Sequence, residues 1–353
     1  MQKPMQGDPG DATPSGQASP AKRSLKKGPG LLISISLISM ICFLGIVIWV
    51  NWEKPRMQSE TLSAELASLI DRMPGKSDAL IYIGMKEIRN SAFWQEIMPD
   101  SLKQAPIISM GKTLDSLGRS RNIVMSEDID TLFISFRQSG FKQNDFIGVV
   151  SGRLTEKLPE AFLKAGSIET ISAGNRILYR IDEHFWLSPF GPERIAVASS
   201  GEMLAGFLEP SGSFFERDSL STALIGKAVY KSQLWFTLPS AEWTSGALRS
   251  LTSANSDMNA VGNLSRIRHL TLSARFDEGI DAQSEWVYKT RRAAFFASTF
   301  LWGAVKLSGL SESGTTPQTR ELLDRVDIRQ NLESVIITAD FPEQIFRKTA
   351  HQP

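Results

Sequence analysis

One cysteine in 353 residues excludes a disulfide scaffold and any cysteine-ligated zinc or iron–sulfur centre. Three histidines leave little for a His-rich metal site. No sign of charge is in excess: 39 Lys and Arg stand against 38 Asp and Glu, a net +1. That balance excludes a strongly basic nucleic-acid binder and an acidic disordered chain. The phosphate-cradling loops G-x-G-x-x-G and G-x-x-x-x-G-K-[ST] are absent, as are H-E-x-x-H, G-x-S-x-G and the EF-hand loop. No catalytic residue and no cofactor-binding residue can be named from motifs, and no cofactor is expected.

Charge is also missing locally. Residues 31–50, LLISISLISMICFLGIVIWV, carry none over 20 positions, enough for a helix to cross about 30 Å of hydrocarbon. Lys22, Arg23, Lys26 and Lys27 precede the run; Trp49 and Trp52 stand at its far end, where indoles favour the headgroup layer. Only Lys54 and Arg56 follow closely, so the positive-inside rule puts the N-terminus in the cytoplasm and the chain after about residue 53 outside. A cleaved signal peptide has a shorter apolar core and small residues at the cut, whereas WVNWEKPRM follows here. An uncleaved signal anchor is therefore expected, with Cys42 as an apolar packing residue inside it.

Residues 1–30 hold five Pro, five Gly and almost no large apolar side chain, and are expected to be a disordered cytoplasmic tail. The tail has five basic and two acidic residues, +3, which leaves −2 for the rest of the chain. Its basic patch is a topology signal or touches anionic lipid, at about 1 kcal/mol per basic residue.

The rest reads as α+β. Residues 51–74 form a juxtamembrane helix and linker. Leu62, Leu66, Leu69 and Met73 are spaced 4, 3 and 4 apart, a stripe for packing on the domain or, alternatively, for pairing two chains. Pro74-Gly75 ends the segment. Beyond it a pattern occurs twice. ALIYIG (79–84), a helix, a hairpin from TLFISFR and DFIGVVSGR, a helix over 155–165, then IAVAS and a helix over 201–208 make the first unit, 75–210. Short strands over 167–172, 176–181 and 183–188 sit inside it, with a tight turn at Ala173-Gly174-Asn175. QLWFTL (233–238), a helix, a hairpin over 266–290, a helix over 291–309, then SVIITAD and a helix from Pro342 make the second unit, 211–353. Two similar, mostly antiparallel sheet-plus-helix units are expected, a pseudo-duplication with helices on one face of each sheet. Ala293–Val305 is uncharged but too short to span. It reads as a buried amphipathic helix, the alternative being a helix on the membrane surface.

The candidate chemistry is thin. Asp128-Ile129-Asp130 would place two carboxylates on one side of a strand, where they could hold a divalent cation. A D-x-D after such an anchor resembles Golgi-type glycosyltransferases, but no nucleotide-binding βα pattern accompanies it. His184 and His269 lie in strand patterns without a nucleophile motif and read as packed or surface residues. Ser24-Leu25-Lys26-Lys27 matches S-x-x-K only in the tail, and Asn263-Leu264-Ser265 is a sequon only if the source is eukaryotic. Phe93, Trp94, Trp186, Trp235, Trp243, Trp286 and Trp302 read mostly as core.

Met73-Pro74-Gly75-Lys76-Ser77-Asp78-Ala79-Leu80-Ile81-Tyr82-Ile83-Gly84, followed by Phe93-Trp94 on a helix, resembles the opening of a loose group of uncharacterised bacterial membrane-anchored proteins with a duplicated exported α+β domain. Ile195-Ala196-Val197-Ala198-Ser199-Ser200-Gly201-Glu202 is similar to their strand–Ser–helix unit, while the second unit here lacks the Tyr-x-Gly opening. The resemblance implies the fold and an inner-membrane location with a periplasmic domain, and carries over no catalytic residue. The expected role is binding or envelope assembly without catalysis. Its partners are the bilayer through 31–50 and a protein on the exported face, with no nucleic acid. Two alternatives stand beside it: a metal-dependent transferase or hydrolase using Asp128 and Asp130, and a structural spacer weakly dimerised through 59–73.

Overall fold

The computed structural model describes residues 29–54, 59–103, 119–140, 143–228, 233–245, 267–310 and 316–350, with the backbone alone for 29–37. The expected disordered tail, apart from Pro29 and Gly30, lies outside the described residues, as do the sequon and most of residues 101–119, where the sequence also predicts a helix. The chain divides into two bodies, residues 1–49 and 50–353.

In the first body, helix α1 begins at Pro29 and runs 23 residues to Asn51, which falls in the second body. Proline suits this first turn because its missing N–H would be unbonded there anyway. The described side chains from Ile38 to Trp49 are exposed. Among the described residues no helix is long and apolar enough to cross a membrane. Part of the run 31–50 has no described side chains, so the expected span lies partly outside them.

The second body is built on one twelve-stranded sheet. Its strands are β1 (Ala79–Ile83), β2 (Ile129–Gly140), β3 (Gln143–Gly152), β4 (Glu169–Ala173), β5 (Arg176–Asp182), β6 (Phe185–Pro189), β7 (Arg194–Ala198), β8 (Leu234–Leu238), β9 (Ile267–Phe276), β10 (Ile280–Tyr288), β11 (Val326–Asn331) and β12 (Ser334–Phe341). The order across the sheet is β11-β12-β10-β9-β8-β1-β2-β3-β7-β6-β5-β4, and every pairing is antiparallel. β1 and β8 meet at the centre, with Leu80 opposite Thr237 and Tyr82 opposite Trp235. From there each half proceeds outward alike: hairpin β2–β3 or β9–β10, then β7 or β12, then β6 or β11. The first half adds β5 and β4, joined at the expected turn with Gly174 at φ +57°.

The strand order is thus alike in the two halves, which belong to one sheet rather than to two separate units. Helices also cover both faces rather than one. On one face of the first half, Leu80, Phe133, Ile147, Val149, Ala196 and Ala198 pack beneath helices α2 (Ala64–Asp71) and α6 (Gly201–Leu208). Helix α7 (Phe214–Arg217) supplies the fully buried Phe214 to the same cluster, and α8 (Ser219–Ala228) supplies Ile225 and Ala228. On the opposite face Leu132, Ile134, Val150, Ile195 and Val197 meet Leu154, Leu158 and Leu163. The physical cause is the strand composition. β2, β3 and β7 are apolar at successive positions, so both pleat faces need covering.

Helix α3 (Met85–Asn90) follows β1 directly and buries Met85 and Ile88. The helix expected over 155–165 is two, α4 (Leu154–Lys157) and α5 (Glu160–Gly166), because Pro159 cannot donate a helical hydrogen bond. The heptad stripe lies in the domain's own core: Leu66, Leu69 and Met73 are buried in it and Leu62 packs against it. Ser63 caps α2, its Oγ accepting from Leu66 N–H at 3.2 Å. Helix α9 (Arg291–Leu310) covers the second half with Ala293, Ala294 and Ala297 against Leu270, Tyr288 and Val335. Helices α10 (Pro317–Asp324) and α11 (Glu343–Ala350) complete the body; α7, α8, α10 and strand β11 were not expected from the sequence.

Candidate functional site

The acidic pair is the first place to look. Asp128 closes a helical turn, Met125–Asp128, while Asp130 lies on β2, so the two are not successive same-face positions of one strand. The Asp128 side chain is 1% exposed. Its Oδ2 accepts from Lys157 Nζ at 2.5 Å and from Val124 N–H at 2.8 Å. Its Oδ1 is 3.1 Å from Arg153 Nη2, an ion pair without hydrogen-bond alignment. Burial would raise the Asp128 pKa, but the Lys157 and Val124 hydrogen bonds and the Lys157 and Arg153 charges outweigh it and hold it below the usual carboxylate value. Asp130 is held elsewhere, by Arg89 Nη2 of α3 at 2.6 Å, and Arg89 also donates to the carbonyls of Ser126 and Ile129. Each carboxylate is neutralised by its own basic partners. Among the described residues no three of His, Cys, Asp and Glu cluster as metal ligands do.

His184 is exposed on the β5–β6 turn. His269 Nδ1–H donates to the Pro239 carbonyl at 2.6 Å, and burial lowers its pKa, so it is a packed, neutral residue. A cavity of about 250 Å³ opens beside Lys76, Ser77, Arg217 and Asp218. Its carboxylate is already engaged: Asp218 accepts from Ser77 N–H, Ser221 N–H and Ser221 Oγ at 3.0, 3.0 and 2.6 Å, capping α8.

The most developed polar assembly is a clasp around residues 50–54. Gln330 Nε2 donates to the Val50 carbonyl at 3.2 Å. Asn331 brackets Lys54, its Oδ1 accepting from Lys54 N–H at 3.0 Å and its Nδ2 donating to the Lys54 carbonyl at 3.2 Å. Lys54 Nζ donates to the Gln330 carbonyl at 2.5 Å and to Gln330 Oε1 at 3.1 Å. Arg291, in the first turn of α9, donates from Nη1 to Asn51 Oδ1 at 2.8 Å and from Nε to Glu333 at 2.9 Å. Burial, and to a lesser degree the Arg329 charge, lowers the Lys54 pKa. β11 and the start of α9 thus grip the chain where the uncharged run ends.

Beside the clasp, α9 packs Ala293, Ala294, Ala297 and Leu301 on the sheet and turns four large residues outward. Phe296, Phe300, Trp302 and Leu307 are 62%, 44%, 53% and 68% exposed. Trp186 and Trp235 are core, as their sequence context suggests; Trp302 is a correction to that reading. The clasp residues Gln330 and Asn331 had no sequence signal, because β11 carries no apolar run.

No protein-family model matches the chain, and no curated protein matches it. Two solved structures of TP0453 align with it. Crystal form I has 10% identity and a TM-score of 0.41 over 85% of this chain and 98% of that one. Crystal form IV has 12% identity and a TM-score of 0.40 over 86% and 98%. A likeness this distant carries no argument about role.

Proposed function

We propose that the protein is a single-pass membrane anchor carrying an extracytoplasmic α+β domain, with its N-terminus in the cytoplasm and a binding or envelope-assembly role rather than a catalytic one. In a bacterium the domain would stand on the periplasmic face of the inner membrane. The observation that carries the reading is the clasp at the end of residues 31–50. An uncharged 20-residue run passes within four residues into a chain segment bonded on both sides by Gln330, Asn331 and Arg291. A domain meant to roam on a flexible tether would gain nothing from such a grip, which leaves little free chain between the uncharged run and the domain. The carboxylates proposed for catalysis are occupied by basic partners, and the stripe proposed for dimerisation is buried in the domain's own core.

The test is protease treatment of intact spheroplasts, with an epitope on each end of the full chain. The C-terminal epitope should be lost and the N-terminal one retained. Retention of both, followed by loss of both on lysis, would overturn the topology. Release of the full chain by alkaline carbonate would overturn the anchor itself.

A further inference from the structure

We infer that the outward face of α9 lies on the lipid bilayer from which the chain emerges, with Phe296, Phe300 and Leu307 in the acyl–headgroup boundary and Trp302 at its level. The inference rests on the membrane-anchor reading and adds to it a second, peripheral lipid contact made by the folded domain.

Three observations lead there. First, position. Asn51 directly follows the uncharged run, and its side chain is bonded to Arg291 in the first turn of α9 at 2.8 Å. The start of α9 is thus tied to the chain one residue past the uncharged run. Trp52, at the same level of the chain, is itself 63% exposed. Second, shape and periodicity. Phe296, Phe300 and Leu307 recur at i, i+4 and i+11, one stripe of the helix about 17 Å long. Ala293, Ala294 and Ala297, about a quarter turn round the helix from that stripe, are packed on the sheet. Third, charge. Lys289, Arg291 and Arg292 stand at the start of α9, and the partly exposed Lys306 stands beside Leu307. The carboxylates near them are Glu333, paired with Arg291, and Asp324, 4.0 Å from Lys306. An apolar stripe with aromatic residues and basic ends is the composition that binds in the plane of an anionic membrane surface.

The test uses the full chain with Cys42→Ser, reconstituted in vesicles of phosphatidylcholine and phosphatidylglycerol. Single cysteines, Phe300→Cys, Leu307→Cys and, as reference on the distant edge of the sheet, Ile168→Cys, each carry an environment-sensitive fluorophore. Flotation of the vesicles reads the anchor; quenching by lipids with nitroxides on the acyl chain reads α9. The expected result is flotation of all three, at least twofold quenching at 300 and 307, and none at 168. Flotation without quenching at 300 and 307 would overturn the α9 contact and leave the anchor standing. A blue-shifted but unquenched label there would assign the face to a second copy of the chain and would also overturn it. Failure to float would remove the anchor and this inference with it.

Discussion

Replacing Asp128 by Asn separates a structural corner from a metal site in one experiment. The substitution keeps the shape of a side chain that is 1% exposed and removes its charge. The carboxamide introduced by Asp128→Asn could still accept one hydrogen bond, but its NH2 would face either Lys157 Nζ or the Arg153 guanidinium, both of which only donate. A hydrogen bond to a charged group contributes about 1.5–3 kcal/mol, and breaking a buried pair costs about 3–5 kcal/mol. Lys157 and Arg153 are 29% and 59% exposed and can turn toward water, which places the expected loss at the lower figure, about 2 kcal/mol. For the body of residues 50–353 that corresponds to a fall in Tm of about 3 °C. The assay is thermal unfolding of the full chain in detergent, followed by the fluorescence of the buried Trp186 and Trp235. Because the folded-state pKa of Asp128 lies below its ordinary 3.8, its contribution is complete above that value and is lost as pH falls through the folded pKa. The gap between wild type and variant should be constant from about pH 5 to 7 and narrow below about pH 4. Equal Tm values at neutral pH would refute the reasoning. So would a rise of the wild-type Tm with millimolar Mg²⁺ or Mn²⁺ that Asp128→Asn and Asp130→Asn abolish, since a ligand at about a hundred times its Kd adds about 2.7 kcal/mol.

Two further outcomes follow from the same geometry. Gly152 has φ +137°, and a Cβ there would sit 2.2 Å from the Asp128 carbonyl oxygen, so Gly152→Ala should cost at least as much as Asp128→Asn in the same melt; an unchanged Tm would mean that the corner yields freely. Gln330→Ala with Asn331→Ala removes the side-chain half of the clasp and should raise the rate of limited proteolysis after Glu53 by a glutamate-specific protease several-fold while lowering stability by about 1–3 kcal/mol; equal cleavage rates would show that residues 50–54 are not held by β11.

Strands β1, β2, β3, β7, β10 and β12 were legible because each is a short apolar run or clean alternation bounded by turn residues, and helix α6 because Ser200 caps it, its Oγ accepting from Met203 N–H. Hairpins β2–β3 and β9–β10 were legible as the longest such runs in their halves. Joining of the halves into one sheet was not, because the β1–β8 pairing is made by backbone groups that any sequence supplies. β11, VDIRQN, escaped for a different reason. It is an edge strand whose Asp327 and Arg329 point to solvent and pair with each other, and whose Gln330 and Asn331 are engaged with residues 50–54, so no hydrophobic pattern marks it. The acidic pair misled because alternation by two holds only within a strand, and Asp128 lies in the helical turn before it.

Helix α9 shows why hydropathy alone could not choose between a core helix and a surface one. The run Ala293–Val305 is uncharged on every face, so charge marks no solvent side. Size carries the information that hydropathy loses. Alanines at 293, 294 and 297 allow the helix to lie close on the sheet, where Leu270, Tyr288 and Val335 already fill the space. Leu301 also packs against that cluster, while Phe296, Phe300, Trp302 and Leu307 go out. In water that arrangement is unfavourable. Full burial of a large apolar side chain contributes about 1.5–3 kcal/mol, so four such residues, about half covered at present, leave about 3–6 kcal/mol ungained. A helix in this setting needs only small or polar residues on its outer face; aromatic residues at 296, 300 and 302 bring a stability cost unless an apolar medium meets them. The bonded pair Arg291–Asn51 puts the end of the only long uncharged run in the sequence at the first turn of that same helix.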